Sequence, residues 1–75
     1  MADLDETVQH LRLIANADLA DDDRRRMTRE SADLYLAQFR GRPGIHEERQ
    51  RLAHAFSAAG PEGDAVRRMM EWIGE

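Results

Sequence analysis

The chain has 75 residues with 15 acidic and 11 basic side chains, a formal net charge of −4 and no cysteine. This length suits one domain, and we expect a single small domain that spans residues 1–75. The lack of cysteine excludes disulfides, thiolate metal ligands and cysteine nucleophiles, and the acidic balance argues against a nucleic-acid partner.

The first predicted helix runs from about Leu4 to Ala15, because apolar side chains recur there at helical spacing. Its apolar face consists of Leu4, Val8, Leu11 and Ala15, with Ile14 beside it. Leu13 points to the opposite side of this helix.

The second predicted helix begins within "ADDDRRRM", residues 20–27, and continues to about Arg40. Its apolar residues cover nearly half of the circumference, and they are Met27, Ala32, Leu34, Tyr35, Leu36 and Phe39. An apolar face of this width predicts a central helix that contacts neighbours on two sides.

Two breaks separate the remaining helices. In "RGRPG", residues 40–44, Gly41 suits a left-handed helix cap and Pro43 cannot extend the preceding helix. The third helix is predicted from about Gly44 to Ala59, and after "AAGPEGD", residues 58–64, the fourth from about Glu62 to Ile73. The pattern therefore predicts an all-α fold, a compact bundle of three to four helices.

The stretch "ADDDRRRM" has three interpretations: a metal site, a nucleic-acid clamp or the start of a helix. Three aspartates in a first turn meet the positive end of the helix dipole, and Asp21–Arg25 and Asp22–Arg26 have the spacing of i,i+4 ion pairs. Consecutive helical side chains diverge by about 100°, which does not suit a shared metal ion. We therefore predict a helix start.

The residues that could support catalysis or hold a metal lack the required spacing. His10, His46 and His54 are the only imidazoles, and no two of them are four residues apart, as a helical zinc pair requires. Ser57 follows His54 by three residues, but nothing in the sequence suggests an oxyanion pocket. We expect no enzyme activity, no metal and no cofactor.

One alternative is a helix-turn-helix regulator of transcription, formed by residues 26–56. The third helix would offer base-reading side chains and the preceding turn would offer phosphate contacts. The residues predicted for this role are Arg40, Arg42, His46, Arg49 and Gln50. Two glutamates at the start of the third helix and the net negative charge argue against it.

The function that we predict first is that of a non-enzymatic module that binds another protein or a second copy of itself. The candidate contact residues are Leu13, Tyr35, Leu36 and Trp72, which lie outside or widen the apolar faces. Tryptophan and tyrosine are enriched at binding hot spots. Leu, Ile, Val and Phe make up only 14 residues, so a partner would add burial that the chain itself lacks.

Charge and composition also bear on how such a module would meet its partner, on the type of genome that encodes it and on its location in the cell. Residues 1–23 have a net charge of −6, residues 24–51 of +4 and residues 52–75 of −2, and such banding can orient a partner. All 11 basic residues are arginine, which is typical of a GC-rich bacterial or phage genome. No apolar run approaches the roughly 20 residues that span a bilayer. The acidic N-terminus is unlike a secretory signal, so we expect a cytoplasmic adaptor, regulatory subunit or inhibitor.

Overall fold

The computed structural model of the protein describes residues 3–58 and 63–74. In this part of the chain there are four α-helices and no strand, which confirms the predicted all-α bundle. The helices are α1 (Leu4–Asn16), α2 (Asp21–Leu36), α3 (Ile45–Ala58) and α4 (Asp64–Gly74). The predicted ends at Ala59 and Glu62 lie outside the described residues.

The helix boundaries follow local chemistry. Asp3 caps α1, because its Oδ1 accepts a hydrogen bond of 2.8 Å from the backbone N–H of Glu6. The three aspartates of "ADDDRRRM" occupy the first turn of α2, as predicted, after an N-cap alanine that offers no side-chain hydrogen bond. At its other end α2 tightens into a 3₁₀ helix, Ala37–Phe39, and Gly41 has a φ of +77°. The left-handed cap was therefore predicted correctly.

A single hydrophobic core lies between the helices. Each of the four helices packs against the other three, so α2 contacts several neighbours, as its wide apolar face predicted, although the other helices do the same. The buried apolar residues are Val8, Leu11, Ile14, Ala32, Tyr35, Leu36, Leu52, Phe56, Val66, Met69 and Ile73.

Two arginines stabilise the C-terminal ends of helices to which they do not belong. Neither α1 nor α4 has a basic residue in its own last turn. Arg24 of α2 is buried, and its guanidinium donates hydrogen bonds to the carbonyls of Ile14, Ala17 and Leu19. Arg49 of α3 donates to the carbonyl of Ile73 at 3.1 Å. The negative end of each helix dipole thus meets a cation from a neighbouring helix.

A pair of buried threonines provides a matched stability test. The hydroxyl of Thr7 donates a 2.8 Å hydrogen bond to the carbonyl of Asp3, whereas the buried hydroxyl of Thr28 has no partner among the described residues. We expect Thr28→Val to raise the free energy of unfolding by about 1 kcal/mol, because a buried polar group without a partner is costly. Thr7→Val should lower it by about 1 kcal/mol. Chemical denaturation measures both, and two changes of the same sign would contradict this reasoning.

Candidate protein-binding surface

The outward side of α1 carries an exposed leucine. Leu13 is 69% exposed, as its predicted position opposite the apolar face implies. Two open depressions of about 320 and 370 Å³ adjoin it and meet along its side chain. We call this surface the α1 outer face, and its residues are Asp5, Glu6, Gln9, Arg12, Leu13 and Asn16, all of them exposed.

The charges around Leu13 are unevenly distributed. Asp5 and Glu6 lie toward the N-terminal end of the α1 outer face, and Asp3 lines the same depression as both. Arg12 lies on the other side of Leu13, in the second depression. An isolated apolar side chain with carboxylates on one flank can enter a complementary pocket that has basic residues at its rim.

A second exposed leucine lies on α2. Leu34 is 70% exposed, so its predicted place in the apolar arc is wrong. Helical spacing could have predicted this exposure, because Leu34 lies one turn from Glu30 and Ala37 and therefore on a different side of the helix from Tyr35. We call its surroundings the α2 outer face, defined by the exposed residues Arg26, Arg29, Glu30, Asp33, Leu34 and Ala37.

Tyr35 and Leu36 do not form an accessible surface. Both side chains are buried in the core, so the prediction that they contact a partner is wrong for this fold. The ring of Tyr35 packs against that of Phe39, with 5.5 Å between the centroids, and its hydroxyl donates to Glu48 Oε2 at 3.1 Å. Tyr35 therefore joins α2 to α3.

The change in the free energy of unfolding at alkaline pH reports on one titrating group, the hydroxyl of Tyr35. Burial raises the pKa of its hydroxyl above the usual 10.0, as do the hydrogen bond to Glu48 and the charge of that carboxylate, while Arg51 opposes the shift. The folded state holds this proton more tightly than the unfolded chain does. The protonated hydroxyl therefore contributes its full share to the free energy of unfolding below pH 10, and this share is lost as pH rises through the pKa of the folded state. No lysine or cysteine titrates in this range, because the chain contains neither.

We therefore expect the free energy of unfolding to fall as pH is raised above 10, and tyrosinate absorbance to give a pKa above 10.0 in the folded protein. Tyr35→Phe serves as the control, because it keeps the ring and removes the titrating group, so its stability should not change over the same pH interval. A tyrosinate midpoint at or below that of the unfolded chain would contradict the assignment.

Trp72 occupies an edge of the bundle. It is half-buried and packs against the core, so contact of its indole with a partner stays a prediction. Leu13, by contrast, faces away from the core. Leu13 is the most exposed of the four predicted contact residues, and the structure does not bring the four together.

The residues predicted to contact DNA are spread over the turn and α3. Arg40 and Arg42 are exposed, and His46 and Gln50 are exposed and 3.5 Å apart between their Nε2 atoms. Arg49 is half-buried, and its bond to the carbonyl of Ile73 gives it a structural role. DNA binding stays a prediction, and a test of it must use Gln50 or His46, because loss of Arg49 would disturb α4.

The aspartates at the start of α2 form ion pairs. Asp21 Oδ1 lies 3.6 Å from Arg24 Nη1 and 3.3 Å from Arg68 Nη2 of α4, and Asp23 Oδ1 lies 3.2 Å from Arg26 Nη2. The Asp21–Arg24 and Asp23–Arg26 pairs within α2 have i,i+3 spacing. Among the described residues no group of three or more histidine, aspartate or glutamate side chains has the arrangement of a metal site.

No protein family model, curated protein or solved structure matches this chain. Within residues 3–58 and 63–74, none of the helices combines the length and apolar character needed to cross a membrane.

Proposed function

We propose that the protein is a small cytoplasmic, non-enzymatic module that binds another protein through the α1 outer face. The observation that carries this proposal is the exposure of Leu13, which is 69% accessible in the middle of a polar surface. The core is closed by other residues, so Leu13 contributes nothing to it. Its burial in a partner would contribute about 1.5–3 kcal/mol of hydrophobic free energy.

The partner surface that fits is an apolar pocket with arginine or lysine at its rim. Leu13 would fill the pocket, and the basic rim would face Asp5 and Glu6 of the α1 outer face. Charge pairs of this kind direct encounter and fix orientation more than they add affinity. The module would act as an adaptor, a regulatory subunit or an inhibitor of a larger protein, and its arginine-only basic residues suit a bacterial or phage source.

The test compares two leucines that are equally exposed on different helices. The tagged chain is used to capture its partner from the cells that express it, and the binding is then measured with purified proteins. We expect Leu13→Gln to weaken this binding by about 2 kcal/mol, the scale of a hot spot. Leu34→Gln, the same substitution on α2, should leave it unchanged.

Both variants should keep their helical circular dichroism and lie within about 0.5 kcal/mol of the unsubstituted protein in stability, because each changes an exposed side chain. A partner that binds Leu13→Gln as tightly as the unsubstituted protein would contradict the role of the α1 outer face. Failure to retrieve a protein bound in fixed stoichiometry would contradict the function itself.

A further inference from the structure

A groove between α3 and α4 brings together three of the residues that the sequence predicted to contact DNA. It is an open depression of about 340 Å³, which we call the α3–α4 groove, and it is lined by His46, Arg49, Gln50, Ala53, His54, Met70 and Gly74. Both of its walls are helices that pack against each other, so the fold rather than a loop sets its shape.

The α3–α4 groove has an apolar floor and a rim of hydrogen-bonding side chains. Ala53 of α3 and Met70 of α4 are half-buried and pack against the core, so they form the floor. His46, Gln50 and His54 are exposed and follow one another at four-residue intervals along α3. This line turns by about 80° around the helix from its first to its last member, yet both imidazoles line the groove.

Arg49 adds a permanent positive charge to the lining. It is half-buried, and its Nη1 donates to the carbonyl of Ile73 at 3.1 Å. A guanidinium carries five N–H donors, so this bond holds the side chain in place and uses one of them. A side chain that is already held loses less conformational freedom when it binds a ligand. Arg49 can therefore bind a carboxylate at a low entropic cost.

The charges around the groove leave it positive. Among the residues that the structure describes, no carboxylate belongs to its lining. Glu47 on α3 and Glu71 on α4 are exposed next to lining residues, and each has an exposed arginine within five residues, Arg42 and Arg67 respectively. These four charges cancel, so the sign is set by the lining itself, while Glu75 lies outside the described residues. A ligand with negative charges is complementary to this surface.

The spacing of the lining residues fits an extended peptide. Along α3, Arg49 and Ala53 are four residues and therefore about 6 Å apart, and His46 lies about 4.5 Å beyond Arg49. In an extended chain, side chains on the same face are two residues and about 6.6 Å apart. A carboxylate opposite Arg49 thus places an apolar side chain two positions away over the floor. A second carboxylate, two positions in the other direction, comes within reach of His46.

We propose that the α3–α4 groove binds an extended acidic segment of another protein, in which two acidic residues and one apolar residue alternate with spacer residues. Its carboxylates accept hydrogen bonds from Arg49 and His46, and its apolar side chain covers Ala53 and Met70. The contact of 3.5 Å between His46 and Gln50 is long and exposed, so a carboxylate can replace it. DNA fits less well, because its phosphates would leave the apolar floor uncovered.

The test titrates a capped peptide into the isotope-labelled full chain and follows the amide chemical shifts. The peptide has the order glutamate, serine, glutamate, serine, leucine. We expect shifts centred on the residues of the groove and a dissociation constant on the order of 0.1–1 mM, because so small a contact is weak. Replacing both glutamates by glutamine, or the leucine by serine, should weaken binding about tenfold.

Equal binding of the glutamate and glutamine peptides would overturn the proposal. Binding of a DNA duplex or of inorganic phosphate to the groove without binding of the peptide would overturn it as well. Leu13→Gln should not change the affinity for the peptide, because the groove shares no residue with the α1 outer face. This proposal and the proposed function can therefore fail separately.

Matched substitutions at two exposed glutamines locate the site. Gln50 lines the α3–α4 groove, whereas Gln9 lies on the α1 outer face. Gln50→Glu should weaken peptide binding about tenfold and Gln50→Arg should strengthen it, while the same changes at Gln9 should alter it by less than about twofold. Equal effects at the two positions would show that net charge alone is responsible, and the groove would not be the site.

The imidazoles provide a second measurement, because imidazole gains a proton in mildly acidic solution while glutamate stays ionised. Binding of the peptide should therefore be several-fold tighter at pH 6 than at pH 8. Replacing His46 and His54 together by glutamine keeps a donor at each position and should abolish this difference. His10→Gln, at the exposed histidine of α1, should preserve it. A pH dependence that survives in the double variant would overturn the role of these imidazoles in the groove.

Discussion

Arg24→Met is expected to lower the free energy of unfolding by about 3 kcal/mol. The guanidinium of Arg24 is buried between α1 and α2 and donates to three carbonyls: Nη2 to Ala17 at 2.7 Å, Nη1 to Leu19 at 3.1 Å and Nε to Ile14 at 3.4 Å. Hydrogen bonds from a charged donor contribute about 1.5–3 kcal/mol each, and neighbouring bonds are not additive. Methionine fills the space of the side-chain stem but removes the side-chain donor to the Leu19 carbonyl, while the Ile14 and Ala17 carbonyls each keep a backbone N–H partner.

Two control variants separate the geometry of Arg24 from its charge. Arg24→Lys keeps the positive charge but offers only a single nitrogen, which cannot reach three separated carbonyls, so it should lose most of the same stability. Arg26→Met removes an exposed arginine of the same helix with an ion pair to Asp23, and it should cost less than about 1 kcal/mol. Thermal and chemical denaturation measure all three variants. Equal losses for Arg24→Met and Arg26→Met would contradict the role of Arg24.

Arg24 also shows where prediction from the sequence reaches its limit. The first turn of α2 was predicted from the helix dipole, which depends only on residues that are close in the chain. The partners of Arg24 are carbonyls in the last turn of α1 and in the residues that follow it, and no side-chain pattern in the sequence indicates which backbone oxygens a distant side chain will reach. The nucleic-acid interpretation of "ADDDRRRM" counted this arginine as a surface charge, whereas it is a buried helix cap.

The apolar faces were predictable to different degrees. Leu13 was placed correctly because α1 has a narrow apolar stripe, and its opposite side is unambiguous. On α2 a run of apolar letters, "LYL", suggested a wide arc, but only Tyr35 and Leu36 turn inward and Leu34 does not. The buried side of α2 includes Thr28 and Ser31, polar residues that an apolar pattern cannot include.

The two candidate surfaces differ in the same way in how far the sequence predicted them. The α1 outer face was largely predictable, because Leu13 interrupts a polar side of a well-defined helix. The α2 outer face was not, because its apolar residue Leu34 was assigned to the core. The helical pattern places Trp72 about 120–140° from the middle of the apolar face of the fourth helix, and this position suits either a bundle edge or a surface that meets a partner.

Phe56→Ala is expected to have the largest effect of any single substitution considered for this chain. The Phe56 side chain is 0% exposed and lies among the buried residues of the core. Truncating a buried phenylalanine costs about 3–5 kcal/mol, through lost burial and the cavity that remains. A chain of this length has a total stability of roughly 4–11 kcal/mol on the usual scale per residue, so the loss removes a large part of it.

We therefore expect Phe56→Ala to be largely unfolded at 37 °C or to melt at a much lower temperature, as followed by circular dichroism and amide hydrogen exchange. Phe56→Leu keeps most of the apolar volume and should stay folded, with a loss of about 1–1.5 kcal/mol. Leu34→Ala is the matched surface control, because it removes apolar atoms from a side chain that is 70% exposed, and it should change stability by less than about 0.5 kcal/mol. If Phe56→Ala instead unfolded cooperatively with a loss as small as that of Leu34→Ala, Phe56 would not belong to the core that joins the four helices.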